Sequence, residues 1–230
     1  MISFKGKHFD KTVILMAVRW YVAYSLSYRD IEEMLKERGI LVDHATINRW
    51  VLEYAPLLEN EFRKKYKRPV GMSWRMDETY LKNSRNWGFL YRAVDKEGDT
   101  VDFMFSAKRD RKAALSFFKK AIGSNGFPHT VTIDNSGANK AALEKLNGLF
   151  LMGNLYFLFI IIRRIKYLNN IVEQDHRHIK RIIKPMLGFK SLASAKATIA
   201  GVELHHMLKK GQMVNAANMP VWQQFYLLAA

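Results

Sequence analysis

Met72-Ser73-Trp74-Arg75-Met76, followed at once by Asp77, is the stretch on which the fold turns. Its apolar residues recur at every second position, the period of a half-buried strand. Downstream, Gly88-Phe89-Leu90-Tyr91-Arg92-Ala93-Val94 and Thr100-Val101-Asp102-Phe103-Met104-Phe105 read as a second and third strand. Asp95-Lys96-Glu97-Gly98 has the composition of the turn between them. The period becomes helical from Ala113 to Ile122, with Ala114, Leu115, Phe117 and Phe118 apolar. Thr130-Val131-Thr132-Ile133 is a short fourth strand, and Asp134 follows it directly. Helices are expected from Ala138 to Leu146 and from Asn169 through Ile171, Val172, Ile179 and Ile183. Three antiparallel strands, a helix, a strand and then helices predict an α/β fold with a mixed sheet flanked by helices.

Upstream of Met72 the chain reads as helices. Asp10 caps a helix through Val13, Leu15, Met16, Val18, Trp20 and Tyr21. Ser27 with Asp30 three residues on has the form of a capping box, and Gly39 suits a left-handed helix end. Asp43 then caps His44-Ala45-Thr46-Ile47-Asn48-Arg49-Trp50-Val51. Helix, glycine turn, helix is the helix-turn-helix pattern, although a plain helical hairpin carries the same local signals. In the second helix Ile47, Trp50 and Val51 are expected to face inward. His44, Thr46, Asn48 and Arg49 are left to reach base edges and phosphates.

Arg63-Lys64-Lys65-Tyr66-Lys67-Arg68-Pro69 marks the composition shift. A domain boundary is placed there, with residues 1–70 forming a small all-α helix-turn-helix domain that ends in a basic linker and residues 71–230 forming the second domain. Such a run is often only a solvated face, but Lys64, Lys65, Lys67 and Arg68 are also suited to tracking a nucleic-acid backbone.

The whole chain has 230 residues, with 37 Lys+Arg against 21 Asp+Glu and a net charge of +16. A field of that sign favours a polyanion, most simply nucleic acid, over a protein that is merely basic or lies on a membrane surface. Apolar residues make up 49%, enough for a core. The absence of cysteine excludes a disulfide framework and thiolate zinc sites, and it suits a reducing cytoplasm. The N-terminal residues lack the apolar core of a signal peptide. The longest apolar run, Leu149 to Ile162, is interrupted by Gly153 and Asn154 and is too short to span a membrane. A soluble cytoplasmic protein is expected.

Three acids fall where this topology could gather them: Asp77 after the first strand, Asp134 after the fourth, and Glu173 in the first turns of a later helix. Converging carboxylates repel, and an oxygen-only donor set suits Mg²⁺ or Mn²⁺. Asp95, Asp102 and Glu144 are rival acids.

Several stretches then carry a resemblance. They are Leu26-Ser27-Tyr28-Arg29-Asp30-Ile31, Ile47-Asn48-Arg49-Trp50-Val51, Asp77-Glu78-Thr79-Tyr80, Tyr91-Arg92-Ala93-Val94-Asp95, Thr132-Ile133-Asp134, and Lys166-Tyr167-Leu168-Asn169-Asn170-Ile171-Val172-Glu173-Gln174-Asp175-His176-Arg177. In this order the chain resembles the DDE transposases of bacterial insertion sequences, specifically insertion sequence family 6. The resemblance implies an RNase H-like, integrase-type catalytic core behind a helix-turn-helix domain, with Asp77, Asp134 and Glu173 as the catalytic and metal-binding triad. It implies a basic residue seven positions after the glutamate, where Lys180 stands; His176 and Arg177 lie between, and all three are expected to hold DNA phosphates. It also implies two Mg²⁺ ions, with Mn²⁺ as a substitute. The activity implied is metal-dependent cleavage at the element's ends and strand transfer of the 3′-hydroxyl, in replicative transposition through cointegrates. The implied partners are the terminal inverted repeats and target DNA, held by a homo-oligomer in a synaptic complex at the bacterial nucleoid. Two rivals stand beside it: a decayed copy acting only as a helix-turn-helix DNA-binding protein, and an RNase H-type nuclease that hydrolyses without joining.

One segment departs from the family pattern. Asp134 and Glu173 lie 39 positions apart, more than is usual, and the excess sits in the apolar residues 149–162. Leu155 to Ile162 are expected to form a fifth strand covered on both faces. Leu149, Phe150, Leu151 and Met152 are surplus and are expected to extend or pack beside the preceding helix. The surplus is expected to loosen the placement of Glu173 and lower activity.

Binding to duplex DNA should be strongly salt-dependent. Each phosphate neutralised adds about −0.9 to the slope of log K against log salt. Titration of binding against salt measures the slope, and a value near zero would mean that the basic charge is not used on DNA.

Overall fold

Four acidic or hydroxyl side chains start the first four helices. Asp10, Ser27, Asp43 and Asp110 precede α1 (Lys11–Ala23), α2 (Tyr28–Lys36), α3 (His44–Lys65) and α4 (Arg111–Asn125). Each accepts a backbone N–H two or three residues on, which satisfies a donor the helix itself leaves open. Ser27 and Asp30 form the full capping box. Gly39, at φ +73°, makes the turn between α2 and α3 in a conformation that side chains disfavour. The computed structural model describes residues 2–83, 86–134, 136–216 and 218–230, and the side chain of Lys166 lies outside the description.

The basic run is not an extended linker. Arg63, Lys64 and Lys65 are the last turn of α3. Glu59 and Glu61, four residues earlier, pair with Arg63 and Lys65, and cations suit a helix C-terminus. Arg68 then donates its backbone N–H to the Gln212 carbonyl at 3.0 Å, and the helical run has ended before Pro69.

Five strands follow the expected order, with two changes of extent. They are β1 (Ser73–Asn83), β2 (Asn86–Asp95), β3 (Thr100–Ser106), β4 (Thr130–Thr132) and β5 (Ile161–Arg163). The sheet order is β3-β2-β1-β4-β5. β1–β2 and β2–β3 are antiparallel, and β1–β4 and β4–β5 are parallel. This is an RNase H-like mixed sheet. β1 does not stop before Asp77: it stays paired with β2 from Trp74 to Asn83, so Asp77 sits mid-strand opposite Arg92. β5 is three residues long, not a strand from Leu155 covered on both faces. β4 offers only three residues to pair with, and the Asn147 side chain takes both backbone groups of Ile160. A 3₁₀ turn at Tyr156–Leu158 occupies the residues before it. Leu149 to Met152 extend α5 (Gly137–Met152), as expected.

Two compact units divide the chain. Pro69–His178 holds the sheet, α4, α5 and the first part of α6 (Asn170–Ile183). Trp74, Met76, Tyr91 and Ala93 pack there against Phe117 and Phe118 of α4 and Leu143 and Leu146 of α5. Met1–Arg68 and Ile179–Ala230 form the other. As a packing unit, the helical part therefore includes α7 (Leu192–Lys209) and α8 (Val221–Leu227), which a division at residue 70 would leave with the sheet. The reason lies in α7, where every residue from Thr198 to Leu208 is buried. A helix buried all round needs neighbours on every side, and α1 and α3 supply them. No helix among the described residues is long and apolar enough to cross a membrane.

In the helical unit α7 approaches its neighbours closely at Gly201, where a β-carbon would lie 2.6 Å from Val22 Cγ1 of α1 and 2.8 Å from Ala55 Cβ of α3. Gly201→Ala should destabilise the helical unit by about 1–3 kcal/mol through overpacking, as measured by urea denaturation of the full chain.

Candidate active site

Strand alternation sends Asp77 and Glu78 of β1 to opposite faces of the sheet. β4 runs parallel to β1 and carries the chain through Ile133 to Asp134, whose carboxylate accepts the Ser136 N–H at 2.9 Å. A carboxylate oxygen from each of Asp77, Glu78 and Asp134 lies within 4.8 Å of the others. Arg109 stands over the group: its guanidinium is 3.3 Å from Glu78 and 3.8 Å from Asp134, and it donates to the Tyr80 hydroxyl at 3.0 Å. Asn139 of α5 donates its amide to the other Glu78 oxygen at 3.1 Å.

Among the described residues, three carboxylates face the Arg109 guanidinium, and the His176 ring lies beside Asp77. Burial pushes the Glu78 carboxyl above the ordinary range, and Asp134 and Asp77 push it the same way, while Asn139 and Arg109 oppose. An oxygen-only donor set with unbalanced negative charge fits a hard divalent cation.

Three contacts set α6 and the residue before it against the sheet, one of them to this group. The Asn169 amide, just before the helix, donates to the Met76 carbonyl at 3.3 Å. Asp175 pairs with the fully buried Arg92 at 2.6 Å. His176 Nε2 lies 3.4 Å from Asp77. Val172, His176, Ile179 and Ile183 make the buried stripe of α6, whereas Glu173, Arg177 and Lys180 are exposed. The structure thus brings Asp77 and Asp134 together and adds Glu78. Glu173 is not part of that group, being turned away by the burial of Val172 and His176 on either side of it. His176 is likewise not on the exposed stripe with Arg177 and Lys180: it is 4% exposed and faces Asp77.

The rival acids have local duties. Asp95 accepts the N–H groups of Gly71, Glu97 and Asp99 and shapes the β2–β3 turn. Asp102 is buried against Lys120 at 2.8 Å, and Glu144 pairs with Lys140 at 3.2 Å.

In the helical unit, Ile47, Trp50 and Val51 are buried as expected. His44 and Arg49 are exposed, and Thr46 and Asn48 are half-buried. His44 sits 2.9 Å from Glu32, and Arg49 donates to the Thr46 hydroxyl at 2.6 Å. His44 and Asn48 line a cavity of about 790 Å³, with Leu187 and Lys190 on its wall. Sequence reasoning missed Glu78, Arg109, Asn139 and the Arg92–Asp175 pair. Only Glu78 carried a signal, its adjacency to Asp77.

The family model of a DDE domain matches residues 71–212. The chain is similar to the transposase for insertion sequence-like element IS431mec of Staphylococcus aureus, with 43% identity over 211 residues, 91% of this chain and 90% of that protein. It is 42% identical, over the same shares, to the transposase for insertion sequence element IS257 in transposon Tn4003 of Staphylococcus aureus. Among solved structures, the HTLV-2 integrase catalytic core domain in complex with magnesium is matched at 17% identity and TM-score 0.38, over 70% of this chain and 84% of that one. The BIV integrase catalytic core domain is matched at 18% identity and TM-score 0.43, over 59% and 84%.

Asp175→Ala would leave the buried Arg92 without the carboxylate beside it. Breaking a buried pair from one side costs about 3–5 kcal/mol, so chemical denaturation should show a loss of that size, with Asp175→Asn losing less. A loss below about 1 kcal/mol would show that this pair does not anchor α6.

Proposed function

This chain belongs to the DDE transposases of insertion sequence family 6, and we propose that it cuts DNA at the ends of its element and joins the freed 3′-hydroxyl to target DNA. The observation that carries the reading is the convergence of Asp77 and Asp134, from two parallel strands, on one carboxylate group. Asp77, Asp134 and Glu173 are the residues that hold metal in this proposal. Glu173 lies one turn before His176, which touches Asp77, so the helix carrying it already stands against the acids. These residues would hold two Mg²⁺ ions, or Mn²⁺ in their place, and the chemistry supplied would be neutralisation of charge on the oxygens of an in-line phosphodiester displacement. The chain's own part is positioning: Arg109 brings positive charge to the rim, and Asn139 and Arg109 orient Glu78.

DNA is the partner in this reading, as terminal repeats and as target, and the net charge of +16 supports it. His44, Thr46, Asn48 and Arg49 at the start of α3 are assigned to the repeat. Lys64, Lys65, Lys67, Arg68, Arg177 and Lys180 are assigned to phosphates, and His176 is reassigned to positioning Asp77. Replicative transposition through cointegrates, by an oligomer holding two ends at the nucleoid, completes the proposal.

A second reading rests on one observation, the exposure of Glu173 outside the acid group. On that reading the copy binds DNA without cutting it.

Strand-transfer assays with Mg²⁺ and end-containing DNA separate the two. Asp77→Asn and Asp134→Asn should each lower joining by at least about a hundredfold, with end binding retained. Glu173→Gln should do the same. Joining that survives Glu173→Gln but fails in Glu78→Gln would transfer the third role to Glu78. No joining by the unsubstituted chain would favour the DNA-binding reading.

A further inference from the structure

Between Lys145 and Arg163 the chain carries no acidic or basic residue. There the sheet unit exposes Met152, Phe157 and Tyr156 to 85%, 81% and 63%, with Leu149, Phe159 and Ile161 also exposed. These residues follow one another through the last turn of α5, the 3₁₀ turn and β5. At about 200 Å² for a fully exposed large side chain, they present roughly 700 Å² of apolar surface. That exceeds the largest apolar patch of a typical monomer, about 300–600 Å². It approaches the roughly 800 Å² per partner of a standard stable interface.

We propose that residues 149–162 are the interface of a two-fold symmetric dimer that this chain forms without DNA. Three observations select a second copy as the occupant. The first is the area. The second is charge: two chains of +16 repel wherever their charged surfaces meet, so self-association needs a face free of charge, and this segment is one. The third is topology: β5 ends the sheet order, and two copies of an end strand related by a two-fold axis run antiparallel, a pairing that a sheet edge accepts. The short length of β5 and the basic Arg163 at its end limit growth beyond the pair. DNA does not fit this face, because the segment offers no cation for phosphate. The proposal stands apart from strand transfer, and its test contains no DNA.

The chain has no cysteine, so one introduced cysteine is a unique reactive site. Phe157→Cys, treated with a short bismaleimide, should give a covalent dimer at a yield at least about tenfold above Leu41→Cys, an exposed control in the helical unit. Light scattering of the unsubstituted chain should report twice the 26.8 kDa of one copy. Tyr156→Asp with Phe157→Asp should raise the dissociation constant at least about tenfold, the effect of losing hot-spot contacts. Added salt should strengthen this dimer, because Lys145 and Arg163 border the patch on both copies, whereas it weakens binding to DNA. A chain that stays monomeric at tens of micromolar would overturn the proposal. So would open-ended aggregation, or equal cross-linking of Phe157→Cys and Leu41→Cys. The cross-linking result stands even if the double variant fails to fold.

Discussion

Three carboxylates held within 4.8 Å of one another are the constraint to which the sheet unit answers. Like charges at that distance favour separation, and separation would unravel the strand that carries two of them. β1 resists because it is paired on both sides, with β2 over ten residues and with β4 over three. Alternation then places Asp77 on one face and Glu78 on the other, so each acid is held by a different set of neighbours. Glu78 lies under Arg109 and Asn139, and Asp77 lies against His176. The partial balance leaves the group negative, which is the electrostatic condition for a divalent cation.

The Arg92–Asp175 pair links this constraint to α6. Arg92 is the residue opposite Asp77 in the β1–β2 register, and it is fully buried. A buried guanidinium is costly without a carboxylate, so Asp175 fixes the helix beside the strand that carries Asp77. The same helix carries Glu173 on its exposed side.

Elsewhere the chain handles apolar surface in two ways. α7, buried on all sides from Thr198 to Leu208, is enclosed by α1 and α3, and Gly201 marks how closely they approach. The segment before β5 has no such enclosure, because Asn147 and the shortness of β4 keep it from becoming a covered strand. Its apolar side chains are therefore left on the surface of a highly basic protein.

Sequence alone determined whatever depends on near neighbours. The caps at Asp10, Ser27 and Asp43, the turn at Gly39, the buried Ile47, Trp50 and Val51, and the order of strands and helices all follow from contacts a few residues apart. The resemblance supplied the family and pointed to Asp77 and Asp134, which the fold brings together. Tertiary structure decided the rest. The length of β1 depended on β2 as a partner, so the end expected at Asp77 was not there. The basic run became a helix end because Glu59 and Glu61 precede it, and β5 shrank to match β4. Glu78, Arg109 and Asn139 meet although 31 and 61 residues separate Glu78 from the other two, and no periodicity announces such a meeting. The rotation of α6, with His176 inward and Glu173 outward, was set by which face the sheet could bury. A helical period leaves that choice open when apolar and charged residues sit side by side.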